Sequence, residues 1–372
     1  MNRQHDIIGE SATALSIAVD LNRLFAGEVG KMKIAGISMI RNDADIVEPF
    51  VRHTLRLLDH LFVIVHSPED GTGEILKALH DEGLPMTLVH YGEPAFLQGE
   101  GLTWLARQAG AALEPDFIFA LDADEFIVPA DRGAIESALS ELPAGVPAAR
   151  IRLRTFVPTA EDEPKEPNPV RRIRHRSRSE IKVDKLVLTA AFSADPMLVL
   201  DHGNHGLLRI GASAQQLRMP PLRQLALAHY PVRSAAQLTN KTIVGYLAHL
   251  AAGRPKVEEL RLATHWRRCY DDMVVQGATR GMTDAQLIAW FHGRHDGLSN
   301  EGELVCDPTP AADPLRYAHL VQNDPYATLA RFAEALIRAR PGHLDGVRFD
   351  HCAEPTTVAS PPAAGAAGQT RA

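Results

Sequence analysis

Apolar and polar positions change period along the chain. Over residues 1–30, apolar side chains recur near helical spacing at Leu15, Ala18, Leu21 and Leu24/Phe25. The expected element is a helical packing arm, with Ser11 as its cap. From Lys31 the pattern switches. Residues 33–40 read as a buried strand, and 45–58 as a helix with Ile46, Phe50, Leu55 and Leu58 on one side. Residues 60–65 read as a second strand, and 68–73 as a turn leading into a helix over 74–81. A strand at 86–90, a helix at 103–113 and a strand at 116–121 complete the series. Strands alternating with helices through short connections predict an α/β fold with a mostly parallel central sheet. Right-handed crossovers then place the strands' C-terminal ends on one rim. The turns on that rim hold Arg41-Asn42-Asp43, residues 66–70, and Asp122-Ala123-Asp124-Glu125.

Past Ala144 the pattern is less regular. Residues 148–156 and 185–191 read as strands, and the Pro- and charge-rich stretch 158–180 between them as a flexible loop. Residues 235–291, 314–320 and 325–340 read as helical. The Ala, Gly, Pro, Ser and Thr of 354–372 offer little to bury, and disorder is expected there. The expected organisation is an arm over 1–30, an α/β domain over 31–245, a helical region over 246–352 and a tail over 353–372.

With 372 residues and a net charge of −7, the chain is not a protein that coats nucleic acid. Its three scattered cysteines, Cys269, Cys306 and Cys352, make neither a disulfide framework nor a CxxC metal site. No apolar run approaches the roughly 20 residues of a membrane span, and the N-terminus has no signal-peptide pattern. A cytoplasmic protein is expected. Were its acceptor a lipid or surface polysaccharide, it would work at the inner face of the membrane, in peripheral contact.

The sharpest chemical signal follows the fourth strand. In extended backbone, alternate side chains share a side, so Asp122 and Asp124 point together. Paired carboxylates suit a hard divalent cation such as Mn²⁺ or Mg²⁺, which takes substrate phosphates as its remaining ligands. Such an ion absorbs the charge that develops on a diphosphate leaving group.

Four stretches together resemble the family 2 glycosyltransferases, in their bacterial glycosyltransferase-2-like branch. They are Ile37-Ser38-Met39-Ile40-Arg41-Asn42-Asp43, Ser67-Pro68-Glu69-Asp70-Gly71-Thr72, Asp122-Ala123-Asp124-Glu125-Phe126, and Ala228-His229-Tyr230-Pro231-Val232-Arg233-Ser234 with Gln237 and Lys241. The resemblance covers roughly residues 31–245. It implies the GT-A nucleotide-diphospho-sugar fold, a nucleotide-sugar donor and a glycan or glycolipid acceptor. It also implies that Asn42, Asp43 and Asp70 lie near the nucleotide, that Asp124 ligates the metal, and that Asp122 sits by the ribose or shares the metal. Where the family commonly carries an acidic or Asn residue before its second turn, this chain has Val65-His66.

Other candidates follow from residue chemistry. His202-Gly203-Asn204-His205-Gly206 offers His202 or His205 as a further metal ligand, and imidazole favours Mn²⁺. Arg41, Arg233, Lys241, Lys182 and Lys185 are candidates for the donor's phosphates, with helical surface charge the competing reading for Arg233 and Lys241. The basic run 171–178 is an anion site or a solvated loop balanced by Glu161, Asp162, Glu163 and Glu166. His229, inside the apolar run 225–228, is a core residue or a site residue. The expected course is an inverting hexosyl or related transfer, which needs a base. Asp184, Glu180 and Asp201 are candidates, with Glu125 beside them, and spacing selects none. A sugar nucleotidyltransferase of the same fold would carry a Gly-rich loop after the first strand, absent here. A non-catalytic binding module would lack the carboxylates.

Overall fold

Strand β1 (Ile34–Ile40) is buried along its whole length, as expected of a strand covered on both faces. In the computed structural model, which describes residues 31–178, 183–211, 215–253, 264–294, 304–310 and 313–339, it lies between β2 (His60–His66) and β4 (Phe117–Ala120), parallel to both. Strand β3 (Met86–Tyr91) extends the parallel part beyond β2. On the other side β8 (Asp184–Thr189) runs antiparallel to β4 and to β6 (Ala148–Thr155). Strand β12 (Pro221–His229) is parallel to β6, and β5 (Glu125–Val128) closes the edge antiparallel to β12. The eight strands are ordered β3-β2-β1-β4-β8-β6-β12-β5. This is the mostly parallel, Rossmann-like α/β class that the residue pattern predicts.

Alternation along β1 feeds two cores. Ile34 and Ile40 join Phe50 of α1 (Val47–Leu57), Leu76 of α2 (Thr72–Asp81) and Ile135 of α4 (Arg132–Ser140). Ala35, Ile37 and Met39 join Leu102 and Leu105 of α3 (Gln98–Leu113) and Phe192 of the short α6 (Ala190–Ala194). Beyond the sheet, α7 (Ala235–Ala251) is the platform for α8 (Thr264–Tyr270), α9 (Asp284–Arg294) and α10 (Pro325–Arg338). Phe291 packs with Leu238 and Cys269, and Phe332 with Val244 and Ala248. Because α7 is continuous through residue 245, the boundary expected there falls inside a helix.

Several expectations need correction. The stretch 158–180 is not a bare loop. It contains α5 (Pro169–Arg172), where the Asn168 side chain accepts from Val170 N at 3.0 Å, and β7 (His175–Ser177), which pairs with β13 (Leu304–Cys306). Residues 314–320 form one 3₁₀ turn only, Ala318–Leu320. The Glu48 carboxylate holds the backbone before it, accepting from Arg316 N at 3.0 Å and Tyr317 N at 2.9 Å. Residues 190–191, expected as strand, begin α6. A small sheet of β9 (Leu198–Leu200), β10 (Leu207–Arg209) and β11 (Gln215–Gln216) precedes β12. The arm over 1–30 and the tail over 353–372 lie outside the described residues. No helix among the described residues is long and apolar enough to cross a membrane.

One glycine is dictated by the turn that holds it. Gly71 has φ 95°, and a Cβ there would stand 2.1 Å from the carbonyl oxygen of Leu320. Gly71→Ala must strain the backbone and push that 3₁₀ turn away. The expected loss of stability is about 2–4 kcal/mol in urea unfolding; an unchanged midpoint would contradict it.

Candidate active site

The Asp122-Ala123-Asp124-Glu125 segment is fixed at both ends. Leu121 N donates to Ile37 O at 3.0 Å at the end of β4, and Tyr230 N donates to Asp124 O at 2.9 Å. Strand β5 then starts at Glu125, directly opposite His229 in the β12 register. Cross-strand partners share a face, so His229 reaches the carboxylates: its Nε2 lies 3.7 Å from Asp124 Oδ1. Ser234, whose hydroxyl accepts from Gln237 N at 3.1 Å, caps α7. Along that helix Lys241 reaches Asp124, Nζ to Oδ2 at 2.7 Å.

Arg233 supports the turn after β1. Its side chain has no exposed surface. Nε and one terminal nitrogen grip Asp45 at 2.8 Å each, the same nitrogen reaches Asp43 Oδ1 at 2.8 Å, and Nη1 lies 3.6 Å from Asp124 Oδ2. On the other flank Lys185, 2% exposed, reaches Asp122 Oδ2 at 2.5 Å and Glu125 Oε1 at 3.2 Å. Gln98 donates to Asp122 Oδ1 at 2.8 Å and accepts from Gly203 N at 3.1 Å, which ties the 202–206 turn to the carboxylates.

Five carboxylates, Asp43, Asp45, Asp122, Asp124 and Glu125, thus face three permanent cations, Arg233, Lys185 and Lys241. Negative charge is in excess by two. Such an excess favours protonated carboxyls. Burial pushes Glu125 up to about 8 and Asp43 up to about 7. Burial also acts on Asp124, but Lys241, His229 and Arg233 outweigh it and hold that carboxyl well below its ordinary range. His229 is pushed down to about 4 by burial, so its imidazole is neutral. Asp124, Glu125 and His229 present ligand atoms within 4.8 Å of one another, and the buried His229 Nδ1 has no hydrogen-bond partner. Two carboxylates and a neutral imidazole fit Mn²⁺, and Mg²⁺ less well.

Divalent metal binding must therefore expel protons. We expect Mn²⁺ to release at least about one proton per ion near pH 7, read as a calorimetric heat that changes with the buffer's ionisation enthalpy. Heat independent of buffer would contradict the protonated pair. The sign for stability agrees. Glu125, raised from its usual 4.5, contributes stability that is full below about 4.5 and lost as pH rises through about 8.

The other sequence candidates divide by place. Asp122, Asp124, Lys185, His202 and His205 line one cavity of about 590 Å³ with Arg41, Asn42 and Asp43. His202 and His205 line it, while among the described residues the groups whose ligand atoms lie within 4.8 Å of one another are Asp124, Glu125 and His229. Asn42 exchanges hydrogen bonds with Glu69, at 2.8 Å from its side-chain nitrogen and 2.7 Å to its oxygen, and Arg41 pairs with the same Glu69. Asp70 is spent on backbone, accepting from Ala44 N and Thr72 N at 3.1 Å each. The base candidate Asp184 pairs with Arg150 at 3.0 Å, and Asp201 caps its own turn through His202 N at 2.8 Å. Glu180 and Lys182 lie outside the described residues. Within the basic run, Arg172 donates to Glu166 O and Arg233 O, and Arg176 pairs with Asp307. Those two arginines latch the segment to the core. Gln98 and Asp45 were missed, and sequence reasoning gives Glu125 only as a base candidate and not as a candidate ligand. Asp45 looks like an ordinary helix-start acid, and no local spacing marks Gln98.

No protein-family model matches the sequence, and no curated protein matches it. Solved structures do show likeness. TarS 1–349 of S. aureus matches over 68% of this chain and 76% of that one, at 14% identity and TM-score 0.34. A CMP:2-keto-3-deoxy-manno-octonic acid synthetase complexed with CTP matches over 44% and 76%, at 11% identity and TM-score 0.27. Glucosyl-3-phosphoglycerate synthase from Mycobacterium tuberculosis, in complex with Mn²⁺, UDP and glucosyl-3-phosphoglycerate, matches over 39% and 50%, at 18% identity and TM-score 0.24. Likeness at this level carries no argument about chemistry, which rests on the geometry of the site.

Proposed function

We propose that the chain is a divalent-metal-dependent glycosyltransferase of the family 2 type, with a GT-A fold, moving a sugar from a nucleotide diphosphate to a glycan or glycolipid acceptor. One observation carries the reading. The Asp122–Glu125 carboxylates at the end of β4 meet His229 and Lys241 in a cavity on the rim where a sheet of this class binds its ligand. Asp124, Glu125 and His229 would hold the ion, whose chemistry is to neutralise the departing diphosphate. The chain's own cations then take defined roles. Lys241, 31% exposed, is placed to turn from Asp124 to a phosphate. Arg233, with no exposed surface, and Lys185, 2% exposed, hold the carboxylates in position.

For an inverting course, His205 is a better base than the candidate carboxylates Asp184 and Asp201, which are committed to Arg150 and to the backbone of His202. Its Nδ1 lies 2.9 Å from the carbonyl oxygen of Asp184, so Nδ1 donates and Nε2 accepts.

The test is slow hydrolysis of UDP-, GDP-, dTDP- and CDP-sugars with and without Mn²⁺. Metal-dependent hydrolysis of one donor supports the reading and names the nucleotide. Indifference of the whole panel to metal moves it to a non-catalytic module.

A further inference from the structure

Helix α7 sends Lys241, Gly245 and His249 to the cavity that holds the carboxylates. Each lies four residues from the next, so the three follow one another along one face of the helix. Lys241 reaches Asp124, Nζ to Oδ2 at 2.7 Å. Gly245 stands one turn on and His249 one turn beyond that, about 12 Å from Lys241 along the axis.

Gly245 is out of place on propensity alone. Glycine is the poorest helix former after proline, yet α7 runs unbroken through it for 17 residues. No positive φ asks for glycine there. No crossing chain asks for it either, because among the described residues nothing lies within 4 Å of where its Cβ would stand. A cavity-lining glycine with open space beside it lets a ligand come up to the helix backbone. His249 gives a second sign. It is 8% exposed, and burial pushes it down to about 4, so its imidazole is neutral. Its buried Nδ1 has no hydrogen-bond partner among the described residues. Neutral imidazole carries one donor and one acceptor, and a buried polar atom left unpaired within the fold points to a partner outside it.

Phe96 stands beside these two. Its backbone N donates to Ala248 O at 3.0 Å, which fastens it to α7. Its ring meets the His249 ring edge-on, centroids 5.1 Å apart, and stacks on His66 at 5.6 Å. His66 is fully buried and its Nε2 is bonded to Glu93 O at 2.8 Å, so it backs Phe96. This end of the cavity therefore lies over the ends of β1 and β2, beside Arg41 and Asn42.

We propose that Phe96, Gly245 and His249 form a slot for the nucleobase and ribose of the donor. The base lies along Phe96 with a polar edge at His249, the ribose passes over Gly245, and the diphosphate reaches Lys241. Stacking on an aromatic ring accepts any base, so the choice among nucleotides falls to His249, on a helix beyond the sheet. Naming the ligand a nucleotide rests on the glycosyltransferase reading.

Calorimetry on the full chain with Mn²⁺ tests the slot. The probes are UDP, GDP, dTDP and CDP, with inorganic pyrophosphate as the probe that has no base. Wild type, Gly245→Leu and His249→Leu are compared, with thermal melts and donor hydrolysis in parallel. Gly245→Leu should melt at or above wild type, because it removes a glycine from a helix interior. The nucleotide that wild type binds best should bind at least about tenfold more weakly to each variant, with pyrophosphate within about twofold of wild type. Nucleotide binding unchanged in either variant, or weakened no more than pyrophosphate binding, overturns the slot, as does a wild type that binds none of the four. If wild type still hydrolyses a donor in those cases, the glycosyltransferase reading stands without the slot. Nucleotide binding that depends on Gly245 and His249, in a protein without donor hydrolysis, keeps the slot and removes the glycosyltransferase reading instead.

Discussion

Asp124→Asn is expected to lower kcat/KM for the donor by at least about a thousandfold, because it removes the one carboxylate held ionised at the centre of the metal cluster. The substitution keeps size and removes charge. Lys241 at 2.7 Å and Arg233 at 3.6 Å then lose their shared counter-charge. Stability should therefore fall too, by about 3 kcal/mol. Measuring kcat/KM below the variant's own melting range separates the two effects. Activity within tenfold of wild type would contradict the assignment. Asp184→Asn is the matched contrast. Its carboxylate pairs with Arg150, away from Asp124, so donor hydrolysis should change by less than about tenfold.

Arg233→Met should be the most destabilising single change, costing about 3–5 kcal/mol in urea unfolding. It strands Asp43, Asp45 and Asp124 in the interior. Arg233→Lys should rescue little, because one ammonium cannot hold both oxygens of Asp45 and also Asp43. The deficit has a pH sign. Without Arg233, the folded-state pKa of Asp43 rises further above its unfolded value. The stability linked to protonation is then present at low pH and lost as pH rises through the folded pKa. The variant's deficit should therefore be larger at pH 8 than at pH 5, and an equal deficit at both would contradict the buried-cluster account.

Much of this arrangement is written in local pattern. The buried strands at 34–40 and 60–66 and the half-buried one at 86–91 are largely apolar runs bounded by turn residues, and the Asp122–Phe126 segment stands out as carboxylates following such a run. The stretch from His229 to Lys241 is legible because its polar residues each serve the site: His229 and Lys241 approach Asp124, Arg233 holds Asp45, Ser234 caps the helix, and Gln237 accepts from Arg233 N at 3.1 Å. What escaped the sequence depends on pairing between distant segments. Glu125 becomes a ligand candidate only because β5 turns back against β12, a four-residue strand too short to show a period. Arg233 reads as a phosphate binder by chemistry, and only its burial among three carboxylates reverses that role. His202 and His205 attract a metal reading through their glycines; Gly203 serves the turn itself at φ 71°, and both histidines line the cavity.

On the proposed reading, one site binds a divalent ion and a nucleoside diphosphate together. An electron paramagnetic resonance titration of Mn²⁺ into the full chain, with and without UDP, GDP, dTDP and CDP, tests it most directly. Wild type should deplete the free-ion signal, more strongly with one of the four nucleotides, and Asp124→Asn should abolish the depletion. A signal unaffected by the protein, or depleted equally by Asp124→Asn, would contradict it.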